Sequence, residues 1–260
     1  MFDKPIDLAK SRILISNDDG INAPGLKLLA KVMRDLCPDI WVVAPADEQS
    51  GVSHSLTLRR PLRIDKLGSK RFAVDGTPTD CVLLAIKHIM RDHPPDLVLS
   101  GINAGANLGE DITYSGTVAA AMEATLLRVP AIALSQHYDR ADGIDWAPAE
   151  EWCSKVVKHL TAAPWPRNTL INVNFPDAKL GKPTGIVAVK QGFRKIGDNL
   201  TERIDPRGRP YYWVGPMRDR SPGAPGTDIE AIARPSVTVT PVHLDLTHVA
   251  ALKELKKVFP

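Results

Sequence analysis

Two aspartates stand side by side directly after an apolar segment, in the stretch ILISNDDG from Ile13 to Gly20. Neighbouring carboxylates in a partly buried loop repel each other, so at neutral pH one takes up a proton or both bind a cation. Oxygen donors favour Mg²⁺, Mn²⁺ or Ca²⁺ over zinc. Asp18 and Asp19 therefore predict a divalent-metal site; the alternative is that they cap the next helix or form an Asx turn.

A second polar cluster, in YSGTVAAAMEA, begins an alanine-rich segment that predicts a helix. Ser115, Gly116 and Thr117 place two hydroxyls and free backbone N–H groups at the positive end of that helix. This arrangement favours an anion, and phosphate is the most plausible one. The alternative is an ordinary helix cap, which needs no ligand.

The loop SGINAGANLG carries Asn103 and Asn107 among glycines at 101, 105 and 109. Glycine permits positive φ and close backbone approach, so a tight functional loop is expected, with a flexible connector as the alternative. The spacing does not form the G-x-G-x-x-G fingerprint, which weakens a dinucleotide-binding interpretation. In SGVSHSL, Ser50 adds a hydroxyl, and His54 is either a proton donor or an ordinary solvated histidine.

Apolar segments with the lengths of strands alternate with segments of helical period from residue 12 to residue 175. This order predicts an α/β fold, a Rossmann-like and mostly parallel sheet covered by helices on both faces in three layers. In such sheets ligands bind beyond the carboxyl ends of the strands, which is where the three polar clusters fall. We therefore expect one site assembled from several loops.

Residues 191–227 interrupt this pattern with many glycines and prolines around the aromatic stretch YYW, Tyr211 to Trp213. We expect a protruding β-hairpin arm here, within a single domain that spans residues 1–260. Exposed aromatic residues favour a partner surface, so the arm predicts oligomer formation. The segment THVAALKELKKVF predicts a terminal helix with Leu252 and Leu255 facing inward.

The 260 residues include 33 basic and 30 acidic side chains, a net charge of +3, without dense basic runs. A nucleic acid is therefore not expected as a partner. A membrane is not expected either, because no apolar stretch approaches the length of a membrane span. The first twelve residues lack the apolar stretch of a secretory signal, so a cytoplasmic location is expected. The three cysteines have no C-x-x-C spacing and predict buried thiols rather than a disulfide or zinc site.

Taken together, these motifs resemble the survival protein SurE family, the metal-dependent nucleoside monophosphate phosphatases. The resemblance covers most of the chain and rests on ILISNDDG, VVAPADEQSGVSHSLTL, GTPTDCV, DLVLSGINAGANLGEDITYSGTVAAAMEA and VPAIALS. It implies a Rossmann-like core, with an extended hairpin and a carboxy-terminal segment that pack between subunits of a homodimer or homotetramer.

The resemblance also implies roles for individual residues. One divalent ion per subunit, Mg²⁺ or Mn²⁺ with Ca²⁺ as a crystal substitute, would be held by Asp18, Asp19, Ser50 and Asn103. Phosphate would be bound by Asn107, Ser115, Gly116 and Thr117. Asp18 and Asp19 would be the catalytic residues.

The implied reaction is hydrolysis of nucleoside 5′- and 3′-monophosphates, and of short polyphosphate, by a metal-activated water. No aspartyl-phosphate signature is present, which favours direct attack by water. A sensor that binds nucleotide or phosphate without chemistry remains the main alternative. A Rossmann oxidoreductase is a second one, although the first loop lacks its glycine fingerprint.

Overall fold

A computed structural model describes residues 5–139, 141, 143–164, 166–193, 200–215 and 222–259 of the chain. Eleven strands lie within these residues: β1 (Arg12–Ser16), β2 (Asp39–Pro45), β3 (Ile64–Gly68), β4 (Arg71–Val74), β5 (Leu97–Ala104), β6 (Ala131–Gln136), β7 (Thr169–Phe175), β8 (Ile186–Ala188), β9 (Leu200–Ile204), β10 (Pro210–Val214) and β11 (Val237–His243).

Seven α-helices lie in the same described ranges: α1 (Pro24–Met33), α2 (Pro78–Leu84), α3 (Asp111–Tyr114), α4 (Gly116–Leu126), α5 (Ala147–Thr161), α6 (Asp228–Ala231) and α7 (Val249–Val258). A π-helical turn at Ala85–Ile89 follows α2. No helix in the described part of the chain is both long and apolar enough to cross a membrane.

One mixed sheet has the strand order β3-β4-β2-β1-β5-β6-β7-β11-β8. Its central strands β2, β1, β5, β6 and β7 are parallel neighbours, whereas β11 runs antiparallel to β7. The carboxyl ends of the central strands therefore lie along one edge, here called the carboxyl edge. The expected mostly parallel α/β sheet is confirmed.

The two faces of the sheet are covered separately, because alternate side chains of a strand point to opposite faces. Ile13 and Ile15 pack in the apolar cluster that contains α1 and α5, whereas Leu14 packs in the cluster that contains α2 and α4. These side chains are fully buried. The three-layer arrangement is thereby confirmed, and it holds the loops of the carboxyl edge on a rigid base.

Cys37, Cys81 and Cys153 are free thiols buried in these two clusters, as the sequence predicts. Burial raises the pKa of Cys153 to about 12 and raises the pKa values of Cys37 and Cys81 as well. The thiols therefore pack as small apolar side chains.

The arm is present as an antiparallel pair, β9 and β10, in which Tyr212 lies opposite Glu202. Residues 194–199 and 216–221, which also fall in the predicted arm, lie outside the described residues. Every residue of β10 is exposed, including Trp213 with 65% of its surface accessible. The core of the sheet therefore does not bury the side chains of β10.

Residues 56–63 are irregular, β3 begins only at Ile64, and Thr57 in the irregular segment is hydrogen-bonded to Asp80 of α2. One expectation about a secondary element is wrong. Leu252 and Leu255 of α7 do not face inward: they are 40% and 54% exposed. Helical period identifies side chains that share a face, but does not determine what covers that face.

Candidate active site

The candidate site lies at the carboxyl edge, where β1, β5, β6 and β7 end side by side. Ser16 lies opposite Ser100, Asn103 opposite Ser135, and Ser135 opposite Asn174. The polar segments that follow β1 and β5 are therefore neighbours in space, although about 85 residues separate them in sequence, as the contact between Asp19 and Ala104 shows.

Asp18 is 4% exposed and lies against the amino terminus of α4. The hydroxyl of Thr117 donates a hydrogen bond to Oδ1 of Asp18. A Cβ atom added at Gly116 would lie only 2.7 Å from Cβ of Asp18, so only glycine allows this approach without displacement. The structure thus brings Asp18, Gly116 and Thr117 together.

The alternative in which Asp18 or Asp19 caps the next helix does not match the geometry. Helix α1 begins at Pro24, and its N-cap residue Ala23 makes no side-chain cap hydrogen bond. The local turn is held instead by Asn17, whose Nδ2 donates to the carbonyl of Gly20 at 3.0 Å. The carboxylates are therefore not used to start α1.

Both carboxyl groups resist ionisation. Burial raises the pKa of Asp18 to about 6, the hydrogen bond from Thr117 opposes this rise, and the charge of Asp19 adds to it. Burial also raises the pKa of Asp19, and the charge of Glu48 raises it further. No Lys or Arg of the described residues forms an ion pair with either carboxylate, so the local charge is uncompensated within this part of the chain.

Asn103 lies beside this pair at the end of β5. Oδ2 of Asp19 accepts the backbone N–H of Ala104 at 3.2 Å, which ties the loop after β1 to β5. The Nδ2 of Asn103 donates to the carbonyl of Gly105 at 2.7 Å. That bond fixes the amide nitrogen within its own turn, so oxygen is the atom of this side chain suited to a cation.

Ser50 is exposed, and its hydroxyl donates to Oε1 of Glu48 at 2.8 Å. No hydrogen bond among the described residues joins the Ser50 side chain to either aspartate side chain, but the N–H of Gln49 donates to the carbonyl of Asp18 at 2.8 Å. The loop that carries Ser50 is therefore attached to the aspartate loop through its backbone. Glu48 is a neighbouring carboxylate that the sequence analysis missed.

Farther along the same loop, Nε2 of His54 lies 3.0 Å from Oε2 of Glu123 on α4. Glu123 is 7% exposed, so a buried carboxylate holds the imidazole. Ser53 anchors the loop next to it, since its hydroxyl donates to the carbonyl of Thr113 at 2.7 Å. These contacts give His54 a protein partner and attach the loop to α3 and α4.

Asn107 is buried among polar side chains from β6 and β7. Its backbone N–H donates to Oδ1 of Asn174 at 2.8 Å, and its Nδ2 donates to Ser135 at 2.8 Å. Asn172 and Asn174 in turn donate to the carbonyl of Asn107. These supporting residues are not among those predicted from the sequence, although asparagine at alternate positions of an otherwise apolar strand is a signal that could have identified them.

Ser115 is the N-cap of α4, and its hydroxyl accepts the N–H of Val118 at 3.1 Å. With the Thr117 hydroxyl donating to Asp18, both hydroxyls of the SGT motif have protein partners. An anion at this helix end would therefore depend on backbone N–H groups and on the helix dipole.

The donor chemistry fits a hard divalent cation. Within the described ranges, no group of three or more His, Cys, Asp or Glu is placed to hold a metal ion. Two carboxylates with raised pKa values are present, so neutral oxygens would have to complete the coordination. Oδ1 of Asn17, buried beside the pair, has no hydrogen-bond partner among the described residues.

A mostly parallel α/β sheet with an acidic and amide-rich site at its carboxyl edge defines the class of open α/β proteins that bind ligands at strand ends. Within that class, the chain belongs to the survival protein SurE family, whose model matches residues 13–198. The resemblance in the sequence is thereby confirmed.

Similar proteins match along the whole chain. The 5′-nucleotidase SurE of Paramagnetospirillum magneticum is 55% identical over 258 residues, 99% of either chain. The protein of the same name from Rhodospirillum rubrum is 52% identical and matches 100% of both chains. The crystal structure of the SurE protein from Aquifex aeolicus has a TM-score of 0.83 at 40% identity, and the match covers 96% of this chain and 100% of that one.

Proposed function

We propose that this protein is a metal-dependent nucleotidase that hydrolyses nucleoside 5′- and 3′-monophosphates to nucleoside and phosphate, and also cleaves short polyphosphate. The observation that carries the proposal is the buried Asp18, held against the amino terminus of α4 beside a second carboxylate. This position would bring a cation bound to Asp18 next to an anion bound at the start of α4. Full-length relatives named 5′-nucleotidase support the 5′ activity.

In this proposal Asp18 and Asp19 hold one Mg²⁺ or Mn²⁺ ion, and oxygen atoms of Ser50 and Asn103 complete its protein ligands. When bound, such an ion offsets the negative charge of the phosphoryl oxygens and lowers the pKa of water. The raised pKa values of both aspartates support this assignment, because a dication would offset the cost of burying their negative charges, which is the main cause of both shifts, as well as the smaller repulsion from neighbouring carboxylates.

The phosphate group of the substrate would lie at the start of α4, bound by Asn107, Ser115, Gly116 and Thr117. Backbone N–H groups at this helix end stabilise negative charge that develops on the phosphoryl oxygens, and they are already oriented before the reaction. Thr117 couples the two halves of the site through its hydrogen bond to Asp18. Asp18 or Asp19 orients the attacking water and accepts its proton.

The decisive assay is phosphate release from AMP by purified protein with Mn²⁺, with and without EDTA. We expect release with Mn²⁺, loss of release with EDTA, and recovery when excess Mn²⁺ is restored. Parallel reactions with 3′-AMP and tripolyphosphate test the wider substrate range. Binding of AMP without any release of phosphate would favour the sensor alternative.

We also propose that the chain forms one domain and assembles as a homodimer or homotetramer through the arm and α7. The exposed apolar side chains of both segments support this, since large apolar patches on a single chain commonly mark interfaces. They are Leu200, Ile204, Tyr211, Tyr212, Trp213 and Val214 in the arm, and Val249, Leu252, Leu255 and Val258 in α7. Light scattering coupled to gel filtration measures the assembly mass directly.

A further inference from the structure

Asp228, at the start of α6, is a fully buried carboxylate that the proposed reaction does not use. Its Oδ2 accepts the N–H of Gly109 at 2.9 Å. Its Oδ1 accepts the N–H of Gly192 at 2.7 Å and the N–H of Ile229 at 2.8 Å. One side chain therefore binds the backbone of two segments that are remote in sequence.

The next residue, Ile229, packs where those segments meet. A Cβ atom added at Gly192 would lie 2.6 Å from Cδ1 of Ile229, and one added at Gly223 would lie 2.6 Å from its Cβ. At Gly109 the corresponding distance to Cδ1 is 3.0 Å. Gly192 and Gly223 flank the arm in sequence, so the base of the arm and the Asn107 loop pack on the same two residues.

Gly109 lies two residues after Asn107 in the loop between β5 and α3. The carbonyl of Gly109 accepts a hydrogen bond from Nε2 of Gln191 at 3.0 Å. The N–H and the carbonyl of this glycine are therefore both bonded to residues at the base of the arm, Asp228 and Gln191. The other end of the loop is fixed at Asn107 by β6 and β7. Between them the N–H of Leu108 donates to Oδ2 of Asp111 at 3.1 Å, and the bond from the N–H of Gly109 to Asp228 holds the next residue.

We propose that Asp228 is a positioning residue for the phosphate-binding half of the site: by holding Gly109 it sets the position of Asn107, and it links that position to the base of the arm. This inference rests on the proposed function, in which Asn107 binds the phosphate group. It predicts that substitutions at Asp228 weaken phosphate binding while the metal-binding half is unaffected.

Asp228→Asn tests this with little change of volume. The amide oxygen can replace only one carboxylate oxygen, and the NH₂ group then faces an N–H donor. The two N–H groups bonded to Oδ1 keep the amide oxygen on their side, so the bond from Gly109 is the one lost. The matched control is Thr227→Ala, which removes the N-cap of the same helix without touching Gly109.

Each protein is titrated with inorganic phosphate and, separately, with Mn²⁺ by calorimetry, and KM and kcat for AMP are measured. For Asp228→Asn we expect the phosphate Kd and the AMP KM to rise about tenfold, because Asn107 would no longer be held in the geometry that binds phosphate. The Mn²⁺ Kd should stay within about twofold of the wild-type value, and Thr227→Ala should lower Tm without changing the phosphate Kd.

Phosphate affinity equal to wild type in Asp228→Asn would overturn the proposal, and so would a parallel loss of phosphate and Mn²⁺ affinity. If Asp228→Asn does not fold, Gln191→Ala replaces it, since Gln191 is exposed and bonds the same glycine. We expect about a threefold rise in its phosphate Kd, and no change would count against the proposal. A wild-type protein that binds phosphate but releases none from AMP overturns the proposed function alone.

Discussion

The carboxyl edge and the arm differ in which kind of side chain is buried and which is exposed. At the carboxyl edge, Asp18 is a buried acid at 4% exposure, without a cationic side chain beside it among the described residues. In the arm, Trp213 and Leu200 are apolar side chains at 65% and 63% exposure. The first region buries charge, and the second exposes apolar surface; either state is costly for an isolated chain.

This contrast indicates that different kinds of partner would complete the two regions. A buried acid is stabilised by a cation that interacts with one or two atoms at short range. An apolar surface is stabilised only by another surface of comparable area. We therefore expect the site to respond to single substitutions near Asp18, and the arm to respond mainly through assembly.

The largest effect is expected from Asp18→Asn. Removing one of two carboxylates should lower the rate of phosphate release from AMP by roughly 10³-fold, because the proposed cation would lose one of its two charged ligands. Initial rates at saturating Mn²⁺ measure the effect. Asp65→Asn, at an exposed aspartate on β3, is the matched control and should retain full activity. An Asp18→Asn variant with wild-type activity would show that the reaction does not need this buried carboxylate.

The same substitution should stabilise the chain when no metal is present. Because the pKa of Asp18 is raised to about 6, the folded chain keeps a proton that the unfolded chain releases as the pH rises from about 4 to 6. Stability therefore falls across that window, and the full penalty, at most about 3 kcal/mol, is present above pH 6. Denaturation in EDTA at pH 7.5 should show Asp18→Asn to be more stable than wild type, and at pH 3.5 the difference should disappear. A destabilised variant at pH 7.5 would contradict the assignment of buried charge.

A smaller effect is expected from Gly116→Ala. The new Cβ would lie 2.7 Å from Cβ of Asp18, so the carboxylate must move away from its place against α4. We expect kcat/KM for AMP to fall about tenfold. Gly185→Ala is the matched control, since a Cβ at that position meets nothing within 4 Å. Equal activity of the two variants would show that close approach at Gly116 is not required.

The smallest effect on a single chain is expected from Tyr212→Ala combined with Trp213→Ala. Both side chains are exposed, so the free energy of unfolding of one subunit should change by no more than about 0.5 kcal/mol. The assembly mass from light scattering should fall. Leu58→Ala, at a side chain that is 83% exposed outside the arm, should leave the mass unchanged. An unchanged mass in the double variant would exclude the arm as an interface.

The central fold could be predicted because its signals are local. The alternation of Ile13, Leu14 and Ile15 between two clusters follows from strand geometry, and the parallel order follows from the helices between strands. Asp18 and Asp19 could be singled out because two adjacent carboxylates after a buried strand repel each other unless a proton or a cation is bound. Their roles in binding a metal stay predictions.

Other contacts could not be predicted because they depend on where distant segments meet. The bonds from Glu123 to His54 and from Asp228 to Gly109 join residues 69 and 119 positions apart, and neither acid stands in a distinctive local pattern. Leu252 and Leu255 were placed wrongly for a related reason, since the sequence of one chain does not state whether a helix face is covered.

The buried sulfur atoms of Cys37, Cys81 and Cys153 have a practical consequence for the arm. Thiolates, and not thiols, react with maleimides and iodoacetamide, and burial keeps these three groups protonated and inaccessible. A cysteine introduced as Arg203→Cys, on exposed β9, would therefore take up a fluorophore or spin label in the wild-type background. Distances between such labels would show whether arms of neighbouring chains meet in the proposed assembly, without removal of any native cysteine.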